Sequence, residues 1–202
     1  LEAVAYSLAV EPDEHLSYLA DKTINLIGRA QCEDGYLNTY FTIKDPSKRW
    51  TNLKEGHELY TAGHMTEAAV AYYKATGKTE FLDIMKKFAD LICRTFGPEE
   101  GQNHGYPGHQ EIELALIRLY HVTGNKKYLE TAKYFIDRRG VGENYFLEEE
   151  KKPEYKQIFP EFAEYDPRYS QSHSAGKRTR RRQRDDAVRA CVYVLCNGRS
   201  GI

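Results

Sequence analysis

The sequence predicts an all-helical protein, a stack of two-helix repeats of the α/α toroid or solenoid kind. Three observations carry this. A segment from Gly63, GHMTEAAVAYYKATGKTEFLDIMKKFADLICR, is echoed from Gly108 by GHQEIELALIRLYHVTGNKKYLETAKYFIDRR. The two copies keep the same punctuation: His64 and His109 are 45 apart, Gly77 and Gly124 are 47 apart, and so are Phe81 and Tyr128. Apolar residues in each copy recur at three- and four-residue steps, the helical period. A period near 47 residues also argues against the 34-residue peptide-binding helical repeat.

Each copy reads as helix, Thr-Gly turn, helix. In the first, Met65, Ala68, Ala69, Tyr72, Tyr73 and Thr76 line up; in the second, Ile112 to Tyr120 is apolar nearly all round. Apolarity on every side means burial between neighbours, so this helix belongs to an inner layer. Gly77 and Gly124 fall where a left-handed cap ends a helix. The helices that follow carry a single stripe (Phe81, Leu82, Met85, Phe88, Ala89 and Ile92 in one; Tyr128, Leu129, Ala132, Phe135 and Ile136 in the other), as outer helices do. A further helix is expected from about Asp13 to Gln31, with Leu16, Leu19, Ile24, Leu26 and Ile27 inside. Long aromatic loops are expected at 32–56 and 140–173. Loops of that length over a rigid helical frame usually form part of a site.

Composition narrows the partners. The 202 residues carry a net charge of −1, which favours neither nucleic acid nor an anionic membrane surface. No stretch is long and apolar enough for a membrane span. The chain opens at Leu1 with no leader pattern, and the absent methionine suggests an upstream part, so compartment stays open. Tyrosine is abundant, 16 against one tryptophan, which suits polar ring-shaped ligands but also helix packing.

Histidines gather at expected helix starts: His57, His64 and His109, with His104 just upstream. The positive end of a helix favours a neutral imidazole, which both donates and accepts hydrogen bonds and so can grip a sugar hydroxyl. A lone histidine there is more often a cap or packing residue; recurrence at matching corners adds weight to a ligand role. Asp34, Glu55, Glu58, Glu67, Glu111 and Glu113 lie nearby, and glycoside cleavage commonly needs two carboxyls. Spacing pairs no two of them, so solvated or helix-start carboxylates are expected. Cys32, Cys93, Cys191 and Cys196 form neither a metal-ligand pattern nor a disulfide framework, so free, mostly buried thiols are expected.

Several longer strings carry a resemblance: DGYLNTYF at 34–41, GHELYTAGHMTEAAVAYYKATG at 56–77, GYPGHQEIELALIRLYHVTG at 105–124, YFIDRRG at 134–140 and YSQSH at 169–173. Together they resemble glycoside hydrolase family 127, the β-L-arabinofuranosidases. The resemblance implies an (α/α)6 toroid, of which residues 1–173 would be the N-terminal half, and a terminal L-arabinofuranoside or related oligosaccharide as ligand. It implies that His57 and His109 are substrate-binding residues and assigns nothing to His64. Family catalysis is retaining: a zinc held by three cysteines and a glutamate activates one cysteine as nucleophile, and a separate glutamate is the acid/base. That set belongs to the second half of the toroid, so no catalytic residue, metal ligand or cofactor is expected in this chain. The expectation is an incomplete, poorly stable, inactive piece, and the rival reading is a non-enzymatic helical-repeat binding module.

The resemblance breaks after 173. Where the family has a histidine in GHAVRA, Asp186 stands before Ala187, and six cations fall within 177–184. Codons for residues 174–180 and 191–202 exist whose one-base shift restores family-like strings. The expectation is a frameshifted tail over 174–202, which the coding DNA would reveal.

Overall fold

The computed structural model describes residues 1–153. Its helices are α1 (Glu2–Val10), α2 (Glu14–Ala30), α3 (Thr39–Lys44), α4 (Glu58–Thr76), α5 (Glu80–Thr95), α6 (Ile112–Thr123), α7 (Lys126–Arg138) and α8 (Tyr145–Glu149), with a 3-10 turn at Pro46–Lys48. Three αα-hairpins stand side by side: α1 with α2, α4 with α5, and α6 with α7. Within this row α4 packs between α1 and α6, which makes an inner layer; α5 touches both α2 and α7, which makes an outer one. No described helix is long and apolar enough to cross a membrane.

Local chemistry sets the boundaries. Asp13 caps α2 by accepting a hydrogen bond from the Leu16 amide at 2.8 Å, satisfying one of the first-turn donors. Helices α4 and α6 end at Gly77 and Gly124, both left-handed (φ +73° and +70°), a conformation that costs glycine nothing sterically. The inner helices bury residues on several sides: α6 buries Ile112, Ala115, Leu116, Ile117 and Leu119, while α5 and α7 each bury one stripe. Phe81, Phe88, Phe135 and Tyr128 are almost wholly buried between the layers. Each stabilises the fold by roughly 1.5–3 kcal/mol relative to exposure.

Four expectations need correction. Helix α1 was not foreseen; its nine residues, EAVAYSLAV, carry almost no amphipathic contrast, yet Ala5 and Leu8 are buried. Leu19 and Leu26 are exposed rather than inside, because α2 is an outer helix that buries only a narrow stripe around Ala20 and Ile24. The segment between α2 and α4 is not wholly irregular, since Asn38 caps the short helix α3. The loop expected from residue 140 contains α8, capped by Asn144. The remainder of that loop, YSQSH, the basic run, Asp186, Cys191 and Cys196 lie outside the described residues.

Candidate ligand-binding site at the histidine corners

Two corners, one before α4 and one before α6, meet at the same end of the inner layer. The first is built on Asn52, whose side-chain oxygen accepts from the Glu55 amide at 2.7 Å and whose carbonyl accepts from the Gly56 amide at 2.9 Å. This tight turn delivers His57 to the cap position of α4 in the left-handed conformation, φ 55°. The His57 Nδ1 contacts the Glu55 carbonyl. A carbonyl can only accept, so Nδ1 is the donor in this contact. Behind it Glu58 is buried, accepting from the Tyr36 hydroxyl and, at 2.9 Å, from the Trp50 amide. Burial pushes the Glu58 carboxyl up to about 7, against those hydrogen bonds and the nearby Arg49.

The second corner, GYPGH, is clamped from below. Arg139 donates to the Pro107 carbonyl, lies 4.8 Å over the Tyr106 ring and sits 3.8 Å from Glu113 Oε1. Glu113 and Arg139 are each only 2% exposed, and burial holds the Glu113 carboxyl up to about 7 in spite of the guanidinium. The corners are also joined to each other. The Gly108 amide donates to the Leu53 carbonyl at 3.0 Å. Glu149 of α8, fully buried, accepts from the amides of Leu53 (2.6 Å) and Lys54 (3.1 Å).

The consequence is convergence. The His57 and His109 rings, 52 residues apart in sequence, lie 5.1 Å apart with planes inclined by 30°. Tyr60 packs against both, at 5.8 and 5.2 Å, and meets His64 edge-on at 4.5 Å. All four side chains are exposed. His57, Tyr60 and His64 are spaced i, i+3, i+7, so they fall along one face of α4. Tyr60 was not singled out from sequence, although its place three residues after His57 in GHELY was the available signal. His104 is exposed and takes no part in this ring cluster.

His64 itself is not at a helix start; it lies in the second turn of α4. Gly63 serves a different purpose from the corner glycines. A Cβ there would stand 2.7 Å from Glu111 Cγ and 2.9 Å from the Glu111 carbonyl carbon, so glycine lets α4 approach the entry to α6. That approach brings His64 Nδ1 to 3.1 Å from Glu111 Oε1.

Glu58 and Glu113 stand in the first turns of α4 and α6 and Glu111 at the cap of α6, as expected of helix-start carboxylates, but burial divides the group. Glu58, Glu67 and Glu113 are buried, whereas Asp34 is exposed and pairs with Arg49 at 3.0 Å. Burial pushes Glu67 up to about 7; Arg118, with Nε 3.2 Å from its Oε1, opposes this, and Glu111 and Glu2 add to it. His64, Glu67 and Glu111 hold ligand-type atoms within 4.8 Å of one another, but Arg118 already supplies positive charge beside Glu67 and also lies 3.6 Å from Glu2.

A zinc bound by three cysteines and a glutamate does not fit the described residues. Cys32 and Cys93 are free: Cys32 sits beside Thr42 and Arg49, and Cys93 donates to the Lys127 carbonyl. Burial raises the Cys93 thiol to about 11, the opposite of what an activated nucleophile needs.

The arrangement defines a class: an α/α helical-hairpin array carrying polar and aromatic side chains at one end of its inner layer. The β-L-arabinofuranosidase GH127 catalytic-domain model matches residues 1–192, and the chain belongs to that family. The non-reducing end β-L-arabinofuranosidase of Bifidobacterium longum subsp. longum is 43% identical over 98% of this chain, which spans 30% of that relative. The crystal structure of a GH127 β-L-arabinofuranosidase from Geobacillus stearothermophilus T6 superposes with a TM-score of 0.72 at 57% identity, covering 82% of this chain and 25% of that one. A second GH127 β-arabinofuranosidase structure gives 0.67 at 43% identity, covering 71% of this chain and 24% of that one.

Proposed function

We propose that this chain supplies the terminal-sugar subsite of a β-L-arabinofuranosidase, with His57 and His109 as the substrate-binding residues. The observation that carries the reading is the 5.1 Å approach of two exposed imidazoles from separate corners. A furanose ring presents hydroxyls in several directions, and two imidazoles fixed at an angle can each engage one. Tyr60 beside them offers an apolar edge for the sugar's C–H groups while its hydroxyl stays wet. The buried clamps of Glu58, Glu113–Arg139 and Glu149 pre-organise the pair, which lowers the ordering cost of binding.

Hydrolysis in this reading is retaining and uses a zinc-bound cysteine. When bound, the zinc would lower the thiol pKa and so activate it. Among the described residues neither Cys32 nor Cys93 is placed to serve, so what these residues contribute in this reading is sugar binding.

Titration of the chain with methyl β-L-arabinofuranoside, followed by imidazole 15N resonances, tests the reading. Both His57 and His109 signals should shift, and H57A or H109A should weaken binding about tenfold, the worth of a strong hydrogen bond. Unmoved signals for both histidines would sink it. An aryl β-L-arabinofuranoside should remain intact when incubated with the chain alone.

A further inference from the structure

We propose that His64, Glu67 and Glu111 form a binding site for a divalent first-row metal ion, which staples α4 to the entry of α6. The inference is independent of the sugar reading and goes beyond it. Among the described residues this is the one group of histidine and acidic side chains whose ligand-type atoms all lie within 4.8 Å of one another. His64 and Glu67 stand at i and i+3 on α4, so they share a face one turn apart. An imidazole and a carboxylate at that spacing are a pairing that helical bundles use to hold metal ions. Glu111, the cap residue of α6, reaches the same point from the neighbouring helix, and Gly63 is what lets it come so close.

Two observations favour an ion there. Oε1 of Glu67 and Oε1 of Glu111 are both shut off from solvent, and no hydrogen bond reaches either. Glu67 as a whole is only 6% exposed. Arg118 Nε approaches it at 3.2 Å and His64 Nδ1 approaches Glu111 at 3.1 Å, in neither case as a hydrogen bond. Buried charges of this kind are normally paired or bound to a metal. The second observation is the charge balance. Glu2, Glu67 and Glu111 carry three negative charges when ionised and Arg118 returns one, so the excess matches a divalent cation. Geometry agrees: donors about 2.1 Å from one ion stand roughly 3.0–3.4 Å apart in octahedral or tetrahedral sites. The His64–Glu111 separation already has that length. One nitrogen with two oxygens suits a zinc-like ion better than calcium or magnesium, which take oxygen ligands. Three protein ligands leave a position for water on the side where His64 is 49% exposed. The ion would tie α4 to a residue two positions beyond His109, and so brace that corner.

The test titrates the EDTA-treated chain with cobalt(II), read by its visible absorption, and with zinc by calorimetry. One ion should bind per chain, without the sulfur-to-cobalt charge-transfer band of a cysteine site. H64F keeps a ring against Tyr60 but loses both nitrogens; E111Q keeps the shape but loses the charge. Each should weaken binding about tenfold or more, since even a group behind a ligand is worth that much. Zinc should raise the urea midpoint of the unaltered chain, as any ligand of the folded state does, and raise that of H64F less. In EDTA the two midpoints should agree, which separates a lost ligand from a damaged fold. The proposal is overturned by no uptake of either ion, by uptake undiminished in either variant, or by a strong sulfur-to-cobalt band. Uptake that H57A abolishes and H64F spares would place the ion at the paired imidazoles and overturn it equally.

Discussion

Single residues hold the site in shape through contacts that are mostly out of reach of the ligand. Gly63 shows how small the tolerance is. G63A would press a methyl group against Glu111 Cγ and its backbone, so one helix or the other must move. We expect a loss of roughly 1–3 kcal/mol, the usual cost of overpacking, read as a lower urea midpoint with an unchanged m-value. Arg139 is the sharper case. R139M leaves Glu113 buried beside an apolar side chain and removes the donor to the Pro107 carbonyl. Breaking a buried pair from one side typically costs about 3–5 kcal/mol. Denaturant unfolding should show that loss, and R139M should also weaken sugar binding, because His109 stands two residues beyond Pro107.

At the scale of elements, the helices whose boundaries were written in capping chemistry were legible and the others were not. Asp13 announces α2, and D13A should cost about 1 kcal/mol in thermal or urea unfolding. Gly77 and Gly124 announce the ends of α4 and α6, and the apolar surround of Ile112–Tyr120 marks an inner helix. Helix α1 escaped because EAVAYSLAV has neither a side-chain cap nor a marked stripe, and its burial comes from its neighbour α4. The pairing of Gly63-His64 with Gly108-His109 was sound as a repeat but misleading as geometry. The corner equivalent to 108–109 is 56–57, and composition alone cannot separate a glycine that turns the chain from one that admits a neighbour. Tyr60 went unremarked because an aromatic on an inner helix reads as core; only the fold shows that this one faces outward. The burial of Glu58, Glu67 and Glu113 was equally hidden, since what makes it tolerable comes from Tyr36, Arg118 and Arg139, each distant in sequence.

For the whole molecule, four buried carboxyls set an unusual acid response. Glu58, Glu67, Glu113 and Glu149 are each held up to about 7 from a usual value of 4.5, chiefly by burial. Between those values the folded chain keeps protons that the unfolded chain releases, so stability falls as pH rises from about 4.5 to about 7 and levels off above. Asp21 and Asp83, lowered by Lys78 and Lys86, act the other way, and what they contribute is lost only at more acid pH. The melting temperature should therefore be higher near pH 5 than near pH 7.5, and E113Q should flatten that slope by about one proton. A melting temperature that climbs steadily from pH 5 to 7.5 would contradict this burial pattern.

The Glu149 clamp carries a kinetic meaning as well. It joins α8 to the amides of Leu53 and Lys54, 96 and 95 positions earlier in the sequence. Closing so long a loop is slow relative to forming the αα-hairpins, each of which needs only local contacts. The hairpins are thus expected to assemble first, with the corner bearing His57 locking only when α8 docks. In pulse-labelled hydrogen exchange during refolding, the Leu53 and Lys54 amides should gain protection after those in the middle of α4 and α6. The end that carries His57 and His109 would be the last part of the molecule to become rigid and the first to loosen.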